Sequence, residues 1–457
     1  MARKLDSRDN QEPQVSDESD PPDTGGHAYL DRRSYLKLGG VSVGVLSTPT
    51  VGARTSTTTR HGIEFEQTKN AVSDLGVDPT GETPVDEVIG EVGDGVLVQF
   101  PDGAYRVESS LTALSTHDRT RGLEGLGDNV SFVLSGETRG FLLEWVDMDG
   151  AYIGNVEFDQ RRLNTCVGIR LTGNRIALEH VGVRGGCNHS DGGVPLVSHS
   201  TTARGATSAV ENLVATARSS GRPVLGRPGI FVEQSHRGTL NIRDCALSGF
   251  PNTAVHADNH SGRVHVFDSQ FENNAAAVRL SRGGSSIVRS EIVVDDVIAP
   301  VRSPVEDSPF RLHGLSVGAV EPAESGSITI EDTAIRVENV SGSYPAVTAT
   351  GENVVEIVDC EVMYNNDSSH PVILSRSPGI GEPVGPLRVQ DTVIRGDGAV
   401  DSVIVAENAD GTQITDSELS MPRGDGDGIR LRESEDCTVD RTEVTVSGRS
   451  VVFGEEP

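Results

Sequence analysis

Apolar and polar residues alternate in short bursts along most of this chain, and the bursts recur. An eight-residue pattern of apolar, any, apolar, any, Asp or a substitute, small polar, any, apolar is found in LNIRDCAL at 240–247, VHVFDSQF at 264–271 and ITIEDTAI at 328–335. It returns in VEIVDCEV at 355–362, LRVQDTVI at 387–394 and TQITDSEL at 412–419, with weaker copies beginning at Tyr152, Ile176, Ser286 and Thr438. The position taken by Asp in the strong copies falls at Asn155, His180, Asp244, Asp268, Arg289, Asp332, Asp359, Asp391, Asp416 and Arg441. Each copy reads as two period-2 strands meeting at a polar corner, and such a unit cannot bury its apolar face alone. Stacking successive copies buries it. A third short apolar run lies in the same period, as in GIRL at 168–171, GIFV at 229–232, AVHA at 254–257 and AVRL at 277–280. It returns in AVTA at 346–349, PVIL at 371–374, SVIV at 402–405 and GIRL at 428–431.

Three strands per period, with a tight corner between two of them, resemble the right-handed parallel β-helix of the pectate-lyase-like superfamily. The resemblance covers residues 71–457 and implies an all-β, three-strand solenoid of about ten coils, each rising about 4.8 Å. The segment 84–92, PVDEVIGEV, puts Val85, Val88, Ile89 and Val92 on one helical face and is expected to cap the N-terminal coil. VLVQFPDGAYRV, from Val96 to Val107, follows as an entry strand and turn. Between His180 and Asp244 the repeat is interrupted, and residues at about 185–228 are expected to form a long inter-coil insertion.

Ahead of the repeat, DRRSYLKLGG sets Arg32 and Arg33 before an aromatic-Leu-Lys trio and a Gly-rich apolar run that ends at Ala53. This is similar to a twin-arginine signal peptide. Residues 1–53 are therefore expected to be a leader plus signal and 54–70 a linker, and the chain is expected to be exported to the extracellular space or cell surface.

Composition narrows the partners. The 457 residues carry 39 Lys+Arg against 68 Asp+Glu, a net charge of -29, which argues against nucleic acid because phosphate contact needs clustered cations. No apolar stretch reaches the roughly 18 residues of a membrane span. Lys4, Lys37 and Lys69 are the whole lysine complement, and an acidic chain that uses arginine almost alone resembles proteins of salt-adapted, haloarchaeal type. The five cysteines Cys166, Cys187, Cys245, Cys360 and Cys437 are odd in number and lack CxxC or zinc spacing, so they are read as buried thiols. Cys245 and Cys360 share one slot of the repeat.

The superfamily resemblance places a groove over the third strand. Its outward positions are read as Arg170, Phe231, His256, Arg279, Arg311, Thr348, Ile373, Ile404 and Arg430, with Glu233 and Asp258 two residues further along neighbouring strands. Two carboxylates about 5 Å apart suit acid and nucleophile roles in glycoside cleavage, or a Ca²⁺ ion. Arginines that neutralise a uronate carboxylate, with His256 moving a proton, suit β-elimination. Glu233, His256, Asp258 and Arg279 are the catalytic candidates; Arg170, Phe231, His189 and Asp191 are the candidates for contacting a polysaccharide. Paired solubilising charges on parallel strands are the competing explanation. No metal site is expected: GDGDG at 424–428 lacks the closing Glu of an EF-hand loop. The NTD, GHG and RxK segments of polygalacturonases are absent, GRPVLGR departs from the pectate lyase spacing, and RHG at 60–62 falls in the expected linker. The expectation is an exported monomer that binds an extracellular polysaccharide, with cleavage as a lyase or hydrolase the further step. The alternative is a non-catalytic surface or matrix solenoid.

Overall fold

The computed structural model describes residues 57–114, 119–136, 140–162, 164–187, 194–217, 226–296, 313–318, 326–338, 340, 345–376 and 384–454. Arg32, Arg33, His189, Asp191 and Arg311 lie outside the described residues.

The chain winds into a right-handed parallel β-helix, the hand that parallel crossovers adopt almost without exception. Strands a full turn apart in sequence pair in parallel to build three long sheets. In the first sheet Leu240 pairs with Val264 and Ile328 with Val355; in the second Leu247 pairs with Phe271; in the third Val255 pairs with Val278. Each turn adds inward Val, Ile, Leu or Phe, such as Ile242, Val266, Ile287 and Ile330, all fully buried in one continuous core. Burial of each such side chain contributes roughly 1.5–3 kcal/mol, so the stack is held by many equivalent contributions.

The corner between the first and second sheets repeats with little change. Asn155, His180, Asp244, Asp268, Arg289, Asp332, Asp359, Asp391, Asp416 and Arg441 all have positive φ, between 45° and 53°. Asp and Asn tolerate this left-handed conformation because the short side chain can bond locally. The next residue points inward and hands a hydrogen bond along the stack: the Cys245 amide donates to Ser269 Oγ at 3.1 Å, and the Ser269 amide to Ser290 Oγ at 3.3 Å. Cys245 and Cys360 sit in this inner column, and burial pushes their thiols up to about 12 and about 11.

Three expectations are corrected. The stretch 185–228 is not one long insertion, because Val197–Thr201, Thr207–Glu211 and Val214–Thr216 form a complete turn whose corner residue is Asn212, φ 53°. With that turn, and a start at Gln67–Asn70, the stack has more turns than the motif count implied. The expected linker is also structured: β1 (Thr58–Arg60) and β2 (Ile63–Phe65) form an antiparallel hairpin, and β3 (Gln67–Asn70) opens the first sheet. Ile63 and Phe65 are buried against Leu97, Tyr152 and Ala177 on the outer face of that sheet. Room for them comes from missing side chains, since a Cβ on Gly122 would meet Phe65 and one on Gly150 would meet Ile63. Finally, Cys166 and Cys187 are joined as a disulfide rather than held as thiols. Cysteines twenty-one residues apart are about one turn apart, so stacking brings them together.

The short helix α1 (Asp86–Gly90) buries Ile89, and Val85 and Val92 beside it, at the N-terminal end of the core. At the other end, Val439, Val444, Val446 and Val451 are only partly covered and Phe453 is exposed. No helix among the described residues is long and apolar enough to cross a membrane.

Candidate functional site

The third sheet sets one side chain per turn on its outer face. Pairing runs in register from Glu144 to Arg170, Ser198, Phe231, His256 and Arg279. It continues through Ser316, Thr348, Leu374, Val405 and Arg430. Arg170, Phe231, His256, Arg279, Thr348 and Arg430 therefore stand in one row, about 4.8 Å per step. Ile373 and Ile404 do not; both are fully buried, and Leu374 and Val405 take the outward positions. Ser198 enters from the turn that had been read as an insertion.

The charges along this row are satisfied by one another. Arg170 Nε donates to Glu233 Oε1 at 2.7 Å and Nη2 to Oε2 at 3.2 Å, a two-pronged pair. Arg170 Nη1 also donates to Glu144 Oε1 at 2.9 Å, and the Ser198 hydroxyl donates to Glu233 Oε1 at 2.7 Å. The bond to Glu233 holds the Arg170 guanidinium even further above its usual range. The same guanidinium lies 5.9 Å from the Phe141 ring centre, in cation–π range. One turn on, Asp258 Oδ2 takes His256 Nε2 at 3.3 Å and Arg279 Nη1 at 3.4 Å. The His256 and Phe231 rings are 5.4 Å apart and tilted by 55°.

Glu233 and Asp258 thus occupy neighbouring turns but do not act on a common point. Glu233 is drawn back to Arg170 and Ser198, and Asp258 forward to Arg279. The expected carboxylate dyad is divided between two ion-pair groups, and both arginines offered for a uronate are already engaged. His256 Nδ1 is buried without a hydrogen-bond partner.

Two further polar clusters were not read from the sequence. Beneath the hairpin turn, Arg60 donates to Glu124 at 2.6 and 2.9 Å, Gln99 donates to the same carboxylate at 2.7 Å, and His61 pairs with Glu179. His180 and His61 together hold Glu179 down to about 2, Glu179 raises His61, and burial pushes the Tyr152 phenol up. The RHG segment at 60–62 is therefore a clamp on the first sheet. Further along, His199, His236 and His260 form a buried ladder with ring centres 5.9 and 5.2 Å apart. The Thr201 hydroxyl donates to Ser208 Oγ, so His199 Nε2 donates to Thr201 Oγ1. The Thr201 amide donates to His236 Nδ1, leaving the proton on Nε2, which faces the Arg263 carbonyl at 3.2 Å. Neutral imidazoles fit the bonds that His199 Nε2 and His236 make, while His199 Nδ1 and both ring nitrogens of His260 are buried without a hydrogen-bond partner. Burial pulls His236 and His260 down to about 4.

No cluster of three or more His, Cys, Asp or Glu side chains among the described residues is placed to hold a metal ion. In the GDGDG stretch, Asp427 opens the strand Asp427–Arg432 and is occupied by Arg430 at 2.8 Å and Arg449 at 2.9 Å.

No family model matches the chain, and no curated protein matches it in sequence. Among solved structures it is similar to the Streptococcus pneumoniae surface protein and adhesin PfbA, at 13% identity over 85% of this chain and 100% of that one, TM-score 0.41. It is also similar to the A-module of the Azotobacter vinelandii mannuronan C-5 epimerase AlgE4, at 16% identity over 85% and 98%, TM-score 0.42. A third is the catalytic unit of a GH87 alpha-1,3-glucanase from Streptomyces thermodiastaticus, at 14% identity over 85% and 68%, TM-score 0.31. No residue role is carried over from them.

Proposed function

We propose that this is an exported β-helix protein that binds an extracellular polysaccharide along the outer face of its third sheet and does not cleave it. One observation carries this reading: the row is in register turn by turn, yet Glu233 and Asp258 are each tied to their own arginine rather than converging on a scissile bond. A row with one side chain per about 4.8 Å step offers a long chain repeated contacts. Phe231, tilted against His256, offers a ring face for a sugar. Export follows from the resemblance of residues 31–53 to a twin-arginine signal, and salt adaptation from the acidic, lysine-poor composition. Near 1 M salt the Debye length is about 3 Å, so recognition rests on direct contact rather than long-range attraction.

The test is a panel of neutral and uronate polysaccharides in molar salt, followed for co-sedimentation with the full chain and for release of unsaturated or reducing ends. Retention that is lost in Phe231→Ala, without product, is the expected result. Product release abolished by Glu233→Gln or Asp258→Asn would overturn the non-catalytic reading, and failure to retain any polymer would leave a structural rod.

A further inference from the structure

The disulfide lies at the corner between the second and third sheets, where loops of successive turns stack. Cys166 belongs to the loop after Leu143–Asp159, Cys187 to the loop after Ile169–Arg184, and each is 2% exposed. Arg227 comes from the same corner one turn later and is itself 2% exposed. Its Nη1 donates to Cys166 Sγ and its Nη2 to the Val167 carbonyl, while Nε has no acceptor. No carboxylate among the described residues pairs with it.

A guanidinium held out of water needs an anion, and one left without it is strongly disfavoured. Burial alone, unopposed by any neighbouring charge, lowers Arg227 to about 9. A disulfide sulfur cannot supply the missing charge, but the same sulfur as a thiolate can. We propose that Cys166 and Cys187 are a redox-active pair whose reduced form carries a Cys166 thiolate held by Arg227. The step balances with a dithiol as reductant. The dithiol gives two electrons and two protons and closes to its own cyclic disulfide, and the Cys166–Cys187 bond breaks. One proton goes to Cys187 and the other to solvent, while Cys166 remains anionic. Stabilising the thiolate makes the bond easier to reduce, and it allows this corner to pack fully before the bond exists.

The test uses the purified full chain, reduced with dithiothreitol, and follows thiolate absorbance in the ultraviolet against pH, a readout that needs no further reagent at the buried sulfur. Cys245, Cys360 and Cys437 do not interfere, because burial raises all three thiols above the ordinary value. The expected result is one thiolate with a midpoint well below the ordinary value of about 8.5, lost in Cys166→Ser. Arg227→Met should raise that midpoint by at least about one pH unit, an approximately tenfold loss of thiolate at fixed pH, and should require more dithiol to reduce the bond. Arg227→Lys, which keeps the charge, should hold most of the effect. A midpoint at or above about 8.5 in the wild-type protein overturns the proposal even if Arg227→Met does not fold, as does an unchanged midpoint in a folded Arg227→Met protein.

Discussion

Arg170 and Glu233 stand sixty-three residues apart in the chain and meet through two hydrogen bonds, at 2.7 and 3.2 Å. Their coupling should be measurable. In a double-mutant cycle of Arg170→Met and Glu233→Gln, read from urea midpoints, we expect about 1 kcal/mol, at the upper end for partly exposed pairs because the contact is bidentate and braced by Ser198 and Glu144. The more exposed pair Arg289–Asp268, with side chains 49% and 37% exposed, should show no measurable coupling in molar salt. Equal coupling for both pairs would mean that the row has no special rigidity.

The corner residues predict an asymmetric response to substitution. Asp359→Gly should leave the melting temperature unchanged or raise it, because glycine adopts φ 52° without cost. Asp359→Val should destabilise by roughly 1–2 kcal/mol, the penalty for a left-handed residue with a branched Cβ. In the core beside another corner, Ile242→Ala should cost about 2–5 kcal/mol. Thermal melts of the three proteins check all of these.

The histidine ladder predicts a loss of stability on mild acidification. Burial lowers the folded-state values of His199, His236 and His260, so below the ordinary value of about 6.5 the unfolded chain binds more protons than the folded one. The stabilisation is complete above that value and declines as pH falls toward the folded values of His236 and His260, about 4. His236 and Asp258 are the titratable groups that act on His260. Glu179 and Asp427, each held near 2, add a second decline only at more acid pH. Urea midpoints should fall between pH 7 and 5, with the fall reduced in His260→Phe. A flat profile in both would show that the ladder opens to water.

The hairpin should be removable without unwinding the solenoid. Phe65→Ala, or Gly122→Val, which fills the space Phe65 occupies, should expose the segment around residues 57–66 to limited proteolysis while the main melting transition moves little. Loss of the cooperative transition in either variant would make the hairpin part of the core rather than a cover.

The corners were legible in the sequence because their chemistry is demanding: an Asp or Asn in the left-handed region, followed by a small inward residue, leaves a visible signature. Asn212 escaped because TSAVENLV puts Ser208 in the first apolar slot and Leu213 in the small polar slot, and one missed corner was enough to make a whole turn resemble an insertion. The outward row was read correctly where strands alternate, at Arg170, Phe231, His256 and Arg279. The phase was lost at PVIL and SVIV, where apolar residues on both faces give no alternation to follow. The direction taken by Glu233 and Asp258 was out of reach, because it depends on which arginine in a neighbouring turn each side chain finds. The Cys166–Cys187 bond had a usable signal in its one-turn spacing, which became meaningful once that spacing was recognised as the distance between stacked positions. Nothing in TTTRHGIEF advertises a partner sheet; the matching cue lay far away in Gly122 and Gly150.

Because the left-handed corners of successive turns are geometrically interchangeable, the protein's length is modular. Joining Asp244 directly to Ser269, so that 245–268 are removed, would excise one storey while leaving the same inner column on either side of the join. The molecule would shorten by about 4.8 Å with its ends unaltered. Such a family of shortened and lengthened versions would serve as a molecular ruler, allowing the span of any bound polymer to be counted in whole storeys.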